Sequence, residues 1–164
     1  PESQLMLALK TRYGLDVREI AFRLLRTEAN VYRRLGRALS RLRERATGVD
    51  ALDPIHVASR RGAVHAVLYV LFTEGYLSTH PDAAVRQELC DEAIRLTTIL
   101  AAHEGALDPG GPVPETCALL ALMHLHAARA GAREDASGGL LLLEEQDRSL
   151  FDAAQIAAGL EWLE

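Results

Sequence analysis

The fold is decided by the stretch REIAFRLLRTEANVYRRLGRALSRLR, which runs from Arg18 to Arg43 and contains eight arginines and no lysine. Asp16 precedes one amphipathic pattern as a candidate N-cap. Thr27 precedes a second pattern that continues to about Ala46. Only a few residues separate the two predicted helices, which is the spacing of a helix-turn-helix.

The rest of the chain also predicts helices, because Ala and Leu are frequent and aromatic residues are scarce. A turn at Ser137-Gly138-Gly139, followed by four leucines, predicts a short hairpin. We expect Leu140–Leu143 to be buried, since four exposed leucines in a row favour aggregation. Ser149 is expected to begin the last helix. The other helices are predicted over residues 3–13, 56–77, 82–103 and 114–130.

These patterns predict an all-α protein with two parts. Residues 1–46 form the helix-turn-helix domain, residues 47–54 a linker rich in turn-forming residues, and residues 55–164 a helical extension with one short hairpin. Residues 1–45 carry 11 basic and 5 acidic side chains, a net charge of +6, whereas residues 46–164 carry 7 basic and 18 acidic ones, a net charge of −11. A basic head on an acidic body suggests a module that binds polyanions.

The charged side chains of the third predicted helix are not spread evenly. At about 100° per residue, an apolar seam falls on a narrow arc, and it consists of Val31, Leu35, Ala38 and Leu42. An adjacent arc of about 100° is polar, and we call it the arginine stripe: Asn30, Arg33, Arg34, Arg37 and Arg41. A solvated helix face usually pairs arginine with glutamate, but no acid accompanies these arginines. Guanidinium groups bind phosphate and guanine edges, so the stripe favours DNA contact over a solvated face.

The same residues resemble region 4 of sigma-70 family factors, in the extracytoplasmic-function branch. The matching positions are Glu19-Ile20-Ala21, Thr27-Glu28, Val31, Arg34-Leu35 and Arg37-Ala38. Later segments resemble one group of these factors that has a long C-terminal extension. Those segments are AVLYVLFTEGY at 66–76, LCDEAIRL at 89–96, LLALMHLHAARAGAR at 119–133 and LLLLEEQDRSLFD at 140–152. Thr73 stands where that group has Asn.

The resemblance implies promoter recognition, with the third helix in the major groove of the −35 element. It implies promoter DNA and the β flap of the RNA polymerase core as partners. Residues near Leu5, Leu9 and Leu24 are candidates for the flap contact, although the core also uses these leucines. Carried over by position, the DNA-binding residues are Thr27, Asn30, Arg33, Arg34, Arg37 and Arg41. No segment resembles region 2, so the chain is expected to be the middle or C-terminal part of such a factor.

The extension contains a second candidate site, of structural or regulatory character. It comprises Glu74, Arg129, Glu145, Gln146, Asp147 and Arg148. Glu74 is expected to pair with an arginine of the extension, such as Arg129 or Arg148. The rest are expected to form a polar cluster, a partner-binding site or, as the least favoured alternative, a catalytic group. The aromatic residues Tyr69, Phe72 and Tyr76 are interpreted as core rather than as a ligand platform.

The sequence predicts no enzyme and no cofactor. His124 and His126 lie about 200° apart on a helix, so they do not share a metal ion easily. Cys90 and Cys117 are expected to be buried thiols. A cytoplasmic protein without a membrane partner is expected, because no apolar run approaches about 20 residues.

The predicted function is promoter DNA binding as part of a sigma factor, regulated by the extension. A different class remains open, a one-component regulator whose helical part binds a small molecule. A third reading, compatible with the first, is an intramolecular contact in which the acidic extension masks the basic head.

Overall fold

The computed structural model describes residues 2–44, 59–78, 84–107 and 111–164. Within these residues the chain is all-α, as predicted, and the seven helices are α1 (Glu2–Thr11), α2 (Val17–Arg23), α3 (Glu28–Glu44), α4 (Arg61–Tyr76), α5 (Gln87–Leu107), α6 (Pro114–Ala127) and α7 (Ala153–Glu161). The predicted hairpin is reduced to a single antiparallel bridge between Glu134 and Leu140. The chain divides into two units, residues 1–70 and 71–164. The predicted linker at 47–54 lies outside the described residues.

In the first unit, α3 packs against both α1 and α2 around a small apolar core. The fully buried side chains of this core are Met6, Leu9, Leu15, Ile20 and Val31. The start of α2 is fixed by a capping box. The Asp16 carboxylate accepts the Glu19 amide at 2.7 Å, and the Glu19 carboxylate accepts the Asp16 amide at 2.6 Å. The predicted N-cap at Asp16 is therefore confirmed.

The turn between α2 and α3 has the geometry of a Schellman motif. The amide of Leu25 donates to the Phe22 carbonyl, and the amide of Arg26 donates to the Ala21 carbonyl at 2.8 Å. Leu25 occupies the left-handed position with φ of 52°, where glycine is usual, and its side chain is 87% exposed. Thr27 then caps α3, since its hydroxyl accepts the Asn30 amide at 3.3 Å. These bonds turn the chain within four residues.

The apolar seam predicted for α3 is buried only in part. Val31 and Leu35 are buried and Ala38 is half-buried, but Leu42 is exposed. The reason is length, because α3 has 17 residues whereas α1 has 10 and α2 has 7. A helical wheel predicts the buried face but not how far a neighbouring helix extends along it.

In the second unit, α6 is the central helix and packs against both α5 and α7. Two glycines allow close contacts there. A Cβ atom on Gly75 would lie 2.7 Å from the Cys90 amide nitrogen, and one on Gly159 would lie 2.8 Å from Cγ of Leu125. Phe72 is buried as predicted, but Tyr69 is exposed, so it is not part of the core.

The leucine run is not buried as the sequence suggested. Leu142 is 64% exposed, Leu140 and Leu143 are exposed as well, and Leu141 is half-buried. The run follows a bridged turn rather than entering a sheet, so it has no opposing layer to pack against. The last helix also begins later than predicted. Asp152 is its N-cap and accepts the amides of Ala154 and Gln155.

Candidate nucleic-acid interface

The arginine stripe lies on α3, the helix that follows the capped turn after α2. Arg33, Arg37 and Arg41 are exposed, and none of their guanidinium groups makes a hydrogen bond or an ion pair with a described residue. They are spaced by four residues, so their Cα atoms rise about 6 Å per step along one side of the helix. Glu44 ends α3 and falls on the same arc, so the acid-free part of the stripe runs from Asn30 to Arg41. A row of three uncompensated guanidiniums can bind successive phosphates.

Arg34 differs from the other arginines of the stripe, because it is already engaged. Its Nε donates to Oδ1 of Asn30 at 2.8 Å, and its Nη1 lies 3.1 Å from Oε2 of Glu2 in α1. Both Asn30 and Arg34 are half-buried. On the wheel Arg34 is the stripe residue closest to the apolar seam, which explains why it faces α1. These two predicted DNA-binding residues are therefore tied to each other and to α1.

Glu2 also contacts Arg26, a residue that the sequence prediction missed. Oε1 of Glu2 lies 2.8 Å from Nε of Arg26, the residue that precedes the cap Thr27. Glu2 is 24 positions from Arg26 and 32 from Arg34 in the sequence. No spacing rule links residues so far apart, and the contact depends on the packing of α1 against α3. Arg26 extends the cationic surface to the turn before α3.

Thr27 contributes to this surface mainly through the backbone. Its hydroxyl and its carbonyl both accept the Asn30 amide, so the side chain is used as a cap. The helix N-terminus it caps presents amides and the positive end of the helix dipole. Glu28, also exposed in this first turn, opposes an anion there. Thr27 thus fixes the start of α3.

The candidate flap contacts need a correction. Leu5 and Leu9 are buried in the core of the first unit, and only Leu24 is half-buried. The exposed apolar side chains near the turn are Phe22, at 64%, and Leu25. The apolar residues at helical spacing predicted an apolar helix face, and most of that face is buried where the three helices pack together.

The second predicted site, in the extension, is brought together only around Gln146. Gln146 is buried, and its Oε1 accepts from Nε and Nη2 of Arg129 at 3.2 and 3.1 Å. Its Nε2 donates to the Leu141 carbonyl at 3.0 Å. Glu145 is exposed, and its carboxylate accepts the Leu142 amide at 2.7 Å in a turn. The buried amide thus joins the helical part to the leucine run.

The charged residues Asp147 and Arg148 remain at the surface. Asp147 accepts the amide and the hydroxyl of Ser149 at 2.9 and 2.7 Å, and these bonds lower the pKa of its carboxyl group. Arg148 is exposed, and its guanidinium has no polar partner among the described residues. Asp147 is thus the N-cap of the short 3₁₀ turn at residues 148–150, and both charged side chains face outwards.

Glu74 lies apart from that cluster. It is fully buried and accepts a hydrogen bond from the Ser78 hydroxyl at 3.2 Å. The Arg129 guanidinium is bonded to Gln146 and Arg148 faces solvent, so the pairing of Glu74 with an arginine of the extension stays a prediction. Arg133, an arginine that the sequence did not single out, is buried against α4, the helix that contains Glu74.

Arg133 joins α4 to the segment after α6. Its guanidinium carbon lies 3.6 Å from the centroid of the Tyr76 ring, and its Nη1 donates to the Tyr76 carbonyl. His126 meets the same ring edge-on, with centroids 4.8 Å apart. Burial, together with the charges of Arg129 and Arg133, lowers the pKa of His126. This aromatic and cationic cluster stabilises the second unit.

The other candidate chemistry is limited. Both thiols are free, Cys90 being buried and Cys117 half-buried. Burial raises the pKa of Cys90 to about 12, so the thiol is unreactive. His124 is bonded to Gln155 at 2.6 Å. In the ranges that the structure describes, no three His, Cys, Asp or Glu residues are grouped to hold a metal ion. The helices of these ranges are also too short or too polar to cross a bilayer.

Comparisons with known proteins give a family. A protein of Rhizobium meliloti (strain 1021), described as uncharacterized, is 38% identical to this chain over 161 residues. The alignment covers 98% of the chain but 37% of the relative, so the chain spans little more than a third of that relative's length. No solved structure matches the chain. The model of a family of unknown function, DUF6596, matches residues 60–164, well over half of the sequence, and the chain belongs to that family.

Proposed function

We propose that residues 2–44 bind the −35 element of promoter DNA, with α3 in the major groove, as region 4 of a sigma factor. The single observation that carries the proposal is the row of exposed guanidiniums of Arg33, Arg37 and Arg41 on the second helix of a helix-turn-helix, which have no partner among the residues that the structure describes. The net charge of +6 on residues 1–45 supports it, because phosphate contacts supply much of the affinity for DNA.

The motifs that resemble sigma region 4 further support the proposal. In this function the chain binds and does not catalyse. Its partner beside DNA is the RNA polymerase core, and the exposed apolar side chains of Phe22 and Leu25 are available for the flap contact. The extension, residues 55–164, regulates the head in this proposal, and its exposed Arg148 is a candidate contact for a partner.

Fluorescence anisotropy with duplexes selected from a random pool tests DNA recognition. Arg37→Ala should weaken binding by about 1–3 kcal/mol if the contact is a bidentate base contact, or reduce the salt slope by about one if it is a phosphate contact. Arg43→Ala is the matched control, because Arg43 lies on the same helix but about 120° from Arg37. Equal losses from the two variants would contradict the stripe as the interface.

A pull-down with bacterial core RNA polymerase separates the sigma reading from a one-component regulator. The sigma reading expects retention of the polymerase by the chain, and retention should be lost when Leu25 is replaced by Asp. A chain that binds duplex DNA but never retains polymerase would be a regulator of the other class. If the chain selects no duplex from the pool, both the sigma-factor proposal and the regulator alternative are contradicted.

A further inference from the structure

One carboxylate in the first unit bridges two guanidinium groups. Oε1 of Glu2 lies 2.8 Å from Nε of Arg26, and Oε2 lies 3.1 Å from Nη1 of Arg34. Each oxygen therefore takes one arginine, which is the arrangement by which a phosphate group is held between two arginines. The two arginines come from the turn before α3 and from the second turn within it.

Arg34 has a second anchor beside Glu2, because its Nε donates to Oδ1 of Asn30 at 2.8 Å. The Arg26 side chain has only a long bond from Nη1 to the Leu25 carbonyl, at 3.5 Å, beside its contact with Glu2. The side chains of Glu2, Arg26 and Arg34 are 31, 44 and 30% exposed. Another anion can therefore approach the pair from solvent and compete with the carboxylate.

We propose that Arg26 and Arg34 form a phosphate site for the DNA backbone and that the Glu2 carboxylate occupies this site in the free protein. The inference rests on the proposed function, because the ligand is a backbone phosphate beside the groove that α3 enters. Glu2 is then a built-in competitor. DNA must displace it to use both arginines, so Glu2 lowers the affinity for every duplex regardless of sequence.

A double-mutant cycle tests this competition, with anisotropy measured on the whole chain at several salt concentrations. Glu2→Gln should tighten DNA binding by roughly three- to tenfold at low salt, since it removes two exposed ion pairs and leaves both arginines available. The gain should disappear when Arg26 and Arg34 are both replaced by Ala, because the freed site then no longer exists.

Glu28→Gln is the matched control for the loss of one negative charge. Glu28 is exposed in the first turn of α3, and neither Arg26 nor Arg34 contacts it. Any gain from this variant reflects general electrostatics and should persist in the background without the two arginines. Circular dichroism melts of each variant establish that the fold is retained.

Three outcomes would overturn the inference: unchanged or weaker binding by Glu2→Gln, a gain no larger than that of Glu28→Gln, or a gain that survives removal of both arginines. These outcomes differ from failure of the proposed function. If the proposed function fails, the unaltered chain shows no salt-dependent binding to any duplex, and no variant restores binding.

Discussion

Replacement of Gly75 by alanine tests the packing of the FTEGY segment in the extension. A Cβ atom at this position would lie 2.7 Å from the Cys90 amide nitrogen and 2.8 Å from both the Arg86 carbonyl oxygen and Cys90 Sγ. The Gly75 carbonyl also accepts the Arg86 amide at 2.7 Å. The two segments are thus held together at the place where the methyl group would have to enter.

The expected loss follows from opposing terms. Alanine favours a helix over glycine by about 1 kcal/mol. Overpacking in a tight core costs about 1–3 kcal/mol, and two of the three close atoms belong to the backbone, which no change of rotamer can move. Separation of the segments would also weaken the bond between Arg86 and Gly75, at about 1 kcal/mol. We therefore expect a net loss of about 1–3 kcal/mol, which lowers the melting temperature by several degrees.

Two other glycines serve as controls. Gly62 lies in the same helix and would have no atom within 4 Å of its Cβ, so Gly62→Ala should be neutral or stabilising by up to about 1 kcal/mol. The stability of Gly159→Ala should lie between those of the other two variants, because its closest neighbour is the Leu125 side chain, which can move. Thermal melts followed by circular dichroism rank the three. If Gly75→Ala is as stable as Gly62→Ala, the close approach of Cys90 does not exist.

Gln146→Ala should lower the free energy of unfolding by about 1–3 kcal/mol in chemical denaturation, because the Arg129 guanidinium and the Leu141 carbonyl lose their partner. Asp147→Ala, in an exposed turn, should change stability less, and the reverse order would refute this assignment. Stability should also fall as the pH drops below about 6.5, since the lowered pKa of His126 makes the unfolded chain bind the proton first. Thermal melts at several pH values should show a shallower decline of stability with falling pH for His126→Phe than for the unaltered chain. Identical slopes would contradict the role of His126.

Three helix starts were predictable from a side chain that acts on its own backbone, although the start of the last helix was not. Asp16, Thr27 and Pro114 begin α2, α3 and α6 as expected, because caps and proline act within three residues. Burial was less predictable. Leu42 and Leu142 are exposed because no neighbouring helix covers them, and the periodicity of one segment contains no information about the length of another.

The candidate site was predictable as a surface but not as a set of contacts. The wheel grouped the arginines correctly on one side of α3, since that grouping depends only on helical geometry. The bridge from Glu2 to Arg26 and Arg34 requires α1 to pack on α3 and could not be foreseen. In the extension, Gln146 is buried whereas its charged neighbours are exposed, and the sequence motif does not encode that difference in burial.

The central place of α6 has a consequence for the order in which the second unit opens. Because α6 buries residues against both α5 and α7, its amides are shielded from water on two sides. Helix α7 has only nine residues and covers one of those sides. Detachment of α7 would expose part of α6 without separating it from α5, so this opening requires less free energy than global unfolding. We therefore expect the slowest hydrogen exchange in the unit in α6, the helix that is covered on two sides.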